Sequence, residues 1–151
     1  MQKFERENKN YSTAVQLLDQ ASQTVDSEKI AMQAVQLQRE IGNIEKAMSM
    51  IEEALKKYNT SYKMWLIKAQ LQEQNNQVER ARETYEEAIK HEVVKSHNQV
   101  WISYAEFEIN QEAFTRARTI LQKARVRMPN DHEIWMASIR LEIRTENIKI
   151  S

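Results

Sequence analysis

The chain has 151 residues, long enough for one ordinary domain with a real hydrophobic core, and carries 22 basic against 22 acidic side chains. That balance excludes a histone-like or tail-type nucleic-acid binder. The absence of cysteine excludes disulfide scaffolds, thiolate metal sites and cysteine nucleophiles. A single glycine and a single proline exclude phosphate loops, dinucleotide fingerprints and a turn-rich sheet protein.

Good helix formers dominate what remains, and 41% apolar against 29% charged residues describes a folded chain, so the expected class is all-α. The predicted elements run in order as a fragment at 1–7, then helices near 11–24, 28–41, 44–58, 62–74, 78–91, 98–110, 114–127 and 132–145. Turn signals separate them at Asn8-Lys9-Asn10, Gly42-Asn43, Asn75-Asn76 and Asn110-Gln111, residue types that tolerate the left-handed conformation ending a helix. Pro129 follows the helix ending near Arg127, and Ser61 and Asp131 stand at helix-capping positions. No stretch approaches the 18 or so apolar residues that cross a bilayer, and the first residues lack the apolar core of a secretion signal. A reducing compartment, cytosolic or nuclear, is expected.

The chain repeats itself. Trp65, Trp101 and Trp135 lie 36 and 34 residues apart. Sixteen residues after Trp65 and Trp101 come Ala81 and Ala117, and seven further on Ala88 and Ala124. The same alanine pair recurs earlier as Ala47 with Ala54 and as Ala14 with Ala21, while Ala31 holds the tryptophan slot of the second unit. Each unit reads as two helices, of which Trp101, Tyr104, Ala105 and Glu108 share one face of the first, and Phe114, Ala117, Ile120, Leu121 and Ala124 one face of the second. Small alanines let the two axes approach, and the tryptophan fills the space opposite. A hairpin of this kind leaves an apolar face that only a neighbouring hairpin covers. The expectation is an α–α superhelix, a right-handed solenoid of antiparallel pairs with units at about 1–24, 28–58, 62–91, 98–127 and a partial one at 132–145. The last of these is a first helix without a second, so the chain reads as a fragment of a longer array whose terminal face is covered by a second chain, with homodimerisation as one form.

The slot seven after the tryptophan decides between two helical-repeat families of this spacing. It holds Gln72, Glu108 and Glu142, with Glu5 in the partial first unit, where a tetratricopeptide repeat usually has an aromatic residue. The segment Trp101-Ile-Ser-Tyr-Ala-Glu-Phe-Glu108 resembles the first helix of the half-a-tetratricopeptide (HAT) repeat, and Arg80-Ala-Arg-Glu-Thr-Tyr-Glu-Glu-Ala88 and Arg116-Ala-Arg-Thr-Ile-Leu-Gln-Lys-Ala124 resemble its second. The likeness runs from about Glu28 to Ile150, and departs at Ala31 and in the long connector from His91 to His97. That resemblance implies a nuclear, non-catalytic scaffold of RNA processing: a splicing complex, with bridging of tri-snRNP subunits, or pre-mRNA 3′-end cleavage or ribosome biogenesis. It implies no cofactor, and other spliceosomal proteins as partners.

Candidate sites follow from the same register. Trp65, Trp101 and Trp135, with Ala81, Ala88, Ala117 and Ala124, are expected as repeat packing, although a tryptophan set can also stack on bases. Glu108 and Glu142 lack the helically spaced partner of an acid–base pair and are expected as partly buried carboxylates bonded to the paired helix. His91, His97 and His132 do not pair at metal-binding spacing. The one charge asymmetry is the helix 114–127, where Arg116, Arg118, Lys123, Arg125 and Arg127 face no acid. Those five residues are the candidate partner-binding strip, for acidic protein or for RNA phosphate.

Overall fold

A computed structural model describes the backbone of residues 2–150 and the side chains of residues 11–147. Among the described residues every regular element is a helix: α1 (Gln2–Thr24), α2 (Glu28–Ile41), α3 (Ile44–Lys57), α4 (Tyr62–Gln74), α5 (Val78–Ala88), α6 (Glu92–Lys95), α7 (Asn98–Asn110), α8 (Phe114–Arg127) and α9 (His132–Ile150). The expected fragment 1–7, turn at Asn8–Asn10 and helix start near residue 11 give way to one continuous helix from Gln2, because a run of polar helix formers with no glycine or proline carries nothing to break it; the side chain of Glu5 lies outside the described ones.

Three positive-φ residues close helical hairpins: Gly42 at 95°, Asn76 at 60° and Glu112 at 59°. After each, the next backbone N–H returns to a carbonyl five residues back, Asn43 to Gln38, Gln77 to Gln72 and Ala113 to Glu108, at 2.8–2.9 Å. Those bonds satisfy carbonyls that a helix end leaves open. In the third hairpin the left-handed residue is Glu112, not one of the expected Asn110–Gln111 pair. Asp131 caps α9 by accepting from the Ile134 N–H at 3.1 Å. Ser61 holds the N-cap position of α4, but its hydroxyl makes no cap bond and donates instead to Glu28.

The helix expected over 78–91 ends at Ala88. Lys90 and His91 bond three residues back, which tightens the last turn. The connector then forms the short α6 and places Val94 in the core, fully buried. At the other end α9 continues past the expected 145 to Ile150, because Thr145-Glu-Asn-Ile-Lys149 contains neither glycine nor proline to stop it.

The chain divides into two compact units, Met1–Ala81 and Arg82–Ser151. In the first, α1 packs on α2, α2 on α3 and α3 on α4, around Val35, Ala47, Ile51, Leu55, Met64, Ile67 and Leu71. In the second, α7 packs on α6, α8 and α9, and α8 on α9. Its core holds Val94, Val100, Trp101, Phe107, Leu121, Ile134 and Leu141. Tyr85 stacks on Tyr104 with ring centroids 5.1 Å apart and planes 4° from parallel. The offset stack and its neighbour Phe107, 5.4 Å away, add aromatic packing to the area buried.

Candidate functional site

The register residues separate by position. Ala47, Ala81, Ala117 and Ala124 are fully buried and Ala88 nearly so, as close helix approach requires. Trp101 is buried, Trp65 half-buried against the core of the first unit, and Trp135 is 47% exposed. All three indoles do one further thing. Each donates its Nε1–H to the backbone carbonyl six residues earlier, Trp65 to Asn59, Trp101 to Lys95 and Trp135 to Pro129, every time at 2.8 Å. The ring thereby pins the loop that enters its own helix.

Glu108 is fully buried, and Arg82 grips it with both arms of the guanidinium, Nε to Oε2 at 2.9 Å and Nη2 to Oε1 at 2.8 Å. Two parallel N–H···O⁻ bonds give both energy and orientation. Arg116, on the paired helix α8, stands further off at 3.8 Å. Glu142 repeats the arrangement nearer solvent, with Arg118 donating Nε to Oε1 at 2.7 Å and Nη2 to Oε2 at 3.3 Å. The main partner of each glutamate is therefore an arginine of the preceding second helix, one residue after the register alanine. A pairing 26 or 24 residues apart is invisible to helical spacing rules, and the sequence reading missed it. The register carried a signal all the same. Where the slot holds Glu108 or Glu142, the residue after the alanine is Arg82 or Arg118; where it holds Gln38 or Gln72, that residue is Val15 or Met48.

The five cations of α8 do not form one strip. Arg118 and Arg125, seven residues apart, turn toward α9. Arg116, Lys123 and Arg127 lie on the other side of the helix, as steps of 100° per residue require. Arg125 bonds the Ser138 hydroxyl at 2.5 Å and lies over the Trp135 ring, 5.1 Å from its centroid. It thus helps to build a groove of about 550 Å³ between α8 and α9, with Arg118 and Glu142 at its side. Its apolar wall continues outward as Trp135, Met136, Ile139 and Ile143, each 45–56% exposed. Ile139 occupies the slot that is buried as Ala69 in the first unit and as Ala105 in the second. Among the described residues this face is the largest cluster of exposed apolar side chains on α9, framed by an ion pair and an arginine over an aromatic ring, the composition of a protein-contact surface.

Among the described residues no group of three or more His, Asp or Glu side chains is arranged to hold a metal ion. Among them, too, no helix is long and apolar enough to cross a membrane. Burial pushes the Tyr104 hydroxyl up to about 12, with the Glu86 and Glu108 carboxylates adding to the shift.

A family model described as the pre-mRNA-splicing factor Syf1/CNRKL1 N-terminal HAT repeat matches residues 18–150. No curated protein matches the chain. Solved structures do, at the level of fold. A tetratricopeptide repeat protein from Parabacteroides merdae superposes with TM-score 0.65 at 15% identity, over 94% of this chain and 55% of that one. The chain thus spans about half the length of that structure. MamA RS-1 gives 0.62 at 12% identity, over 98% of this chain and 84% of its own. A chain of the Naa15/Naa10 complex bound to HypK-THB gives 0.62 at 18% identity, over 98% of this chain and 22% of its own. With the matched model covering most of its length, and with repeat hairpins closed and packed as described, the chain belongs to the Syf1/CNRKL1 N-terminal HAT-repeat family.

Proposed function

We propose that the chain is a non-catalytic scaffold of a pre-mRNA splicing complex, acting in the nucleus, and that it bridges subunits of the spliceosomal tri-snRNP as part of a longer HAT array. The family match to a splicing factor carries the splicing assignment. The tri-snRNP role rests on likeness to the C-terminal repeats of pre-mRNA-processing factor six, in Ile51-Glu-Glu-Ala-Leu-Lys-Lys-Tyr58 with Lys63–Gln74, in Thr115–Arg125 and in Ile134–Arg144. The contact surface of this reading is the α9 face of Trp135, Ile139 and Ile143 with Arg118 and Arg125 beside it, and self-association through that face is part of the proposal. Co-sedimentation of the tagged chain with tri-snRNP particles from nuclear extract tests the reading. A chain that stays at the top of the gradient while Ile139→Asp behaves identically contradicts it.

Direct RNA binding through the α8 cations is the weaker reading, because the helix divides them between two faces and commits Arg118 and Arg125 to α9. Reversing Lys123 and Arg127, on the face of α8 turned away from α9, to glutamate addresses it. A splicing-protein scaffold keeps the salt dependence of its partner binding; an RNA strip loses roughly one unit of salt slope per phosphate contact removed.

A further inference from the structure

In three repeats the tryptophan slot is filled and its indole bonds to the carbonyl six residues back. In the second repeat the slot holds Ala31, and the carbonyl six residues back belongs to Val25. Where the ring would lie there is a cavity of about 580 Å³ in the first unit, with Val25, Ile30, Ala31, Met50, Ala54 and Tyr58 among its walls. Those walls show what is missing. In the repeat of Trp101 the residues at the register positions of Met50 and Ala54 are Ile120 and Ala124, 7% and 0% exposed, whereas Met50 and Ala54 are both only half-buried. The cavity is continuous with the core that α2 and α3 already share, since Ala31, Met50, Ala54 and Tyr58 all pack against it. The loop at its mouth is held: Lys57 pairs with Asp26 at 2.7 Å and the Tyr58 hydroxyl donates to the same carboxylate. The rim charges, Lys46 and Lys57 against Asp26 and Glu53, cancel, so net charge does not select the occupant.

We propose that this cavity receives one tryptophan side chain presented by a peptide segment of a partner protein, its ring between Ala31 and Ala54 and its indole N–H donating to the Val25 carbonyl. The partner thereby supplies the side chain that the other repeats carry themselves. An open pocket with an apolar floor and a few polar groups at its rim has the make-up of a site for a ring with one hydrogen-bond donor. The bond to Val25 favours tryptophan over phenylalanine, which brings no donor.

The test is titration of the 151-residue chain with a Gly/Ser pentapeptide bearing tryptophan at its centre, read by backbone amide shifts, with phenylalanine- and alanine-centred peptides beside it. Saturable shifts centred on Ala31, Val35 and Ala54 are expected, strongest for tryptophan and absent for alanine. Ala31→Trp, which fills the slot internally, abolishes them while raising the melting temperature. Ala54→Leu fills the same space from α3 and serves if the first variant does not fold. Absence of saturable shifts in the parent chain overturns the proposal, as do shifts that persist in the filled variant. Equal binding of tryptophan and phenylalanine overturns the role given to the Val25 carbonyl.

Discussion

Arg82 and Glu108 form a two-armed ion pair whose carboxylate is fully buried and whose guanidinium is 13% exposed. It ties α7 to α5. The backbone carbonyl of Glu108 in turn accepts from the Ala113 N–H and closes the following turn, so one residue anchors both the preceding repeat helix and its own turn. Removing one partner leaves an uncompensated buried charge, which typically costs about 3–5 kcal/mol. Arg82→Ala is predicted to lose that much in urea unfolding. The double variant Arg82→Met with Glu108→Gln copies the Met48 and Gln72 register of another repeat, and is predicted to lie within about 1.5 kcal/mol of the parent. Additive losses in that cycle would show that the two residues act independently.

The equivalent pair Arg118–Glu142 is exposed, at 36% and 50% of the side chains. Exposed pairs contribute about 0–1 kcal/mol. Glu142→Gln is predicted to leave the unfolding midpoint almost unchanged, and a loss above about 1.5 kcal/mol would refute the distinction drawn from burial.

Trp101 and Trp135 carry the same indole bond in unlike surroundings. Trp101→Ala opens a buried space and is predicted to cost about 3–5 kcal/mol. Trp135→Ala, with its ring 47% exposed, is predicted to cost markedly less. Denaturant titration of both variants checks the order, and a Trp101→Ala chain that melts like the parent contradicts the packing role.

How much of this was legible beforehand differs by residue. Helix ends were readable within a residue or two where Gly42, Asn76 or Pro129 punctuated the pattern. They were not readable at Ala88, where no glycine or proline marks the end and the chain tightens into a last turn before burying Val94. The buried alanines followed from spacing alone. Arg82 did not, because its partner lies 26 residues on and only the repeat register relates them. The division of the α8 cations was legible in principle, since residues two apart on a helix face opposite ways, but composition drew them together as one strip. The exposure of Trp135 depends on what packs against α9, which its own signature does not state.

Glu112 sits at φ 59° in a hairpin turn that the second repeat closes with Gly42. A left-handed conformation costs a residue with a Cβ about 1–2 kcal/mol. Glu112→Gly is therefore predicted to stabilise the chain by up to about 1 kcal/mol, read as a raised melting temperature. A lowered one would mean that the Glu112 side chain contributes contacts outweighing the strain.

The raised pKa of Tyr104 makes an alkaline prediction. The folded chain holds this proton up to about pH 12, whereas an unfolded tyrosine releases it near 10. Its contribution is complete below pH 10 and is lost as pH rises through 10 to 12, by up to roughly 2 kcal/mol once solvent screening of the hydroxyl is allowed for. Tyr104→Phe removes that part of the decline, so the parent loses stability relative to the variant across the window. Parallel curves from pH 9 to 12 would place the loss elsewhere.

The central claim is that the chain holds proteins of a splicing complex together through its own helical surfaces. Affinity capture from nuclear extract with the purified chain, run with and without nuclease and read by mass spectrometry, tests it most directly. The account predicts that spliceosomal proteins remain after nuclease treatment and that Ile139→Asp on the α9 face releases them. Loss of every partner after nuclease would contradict it and make RNA the bridge.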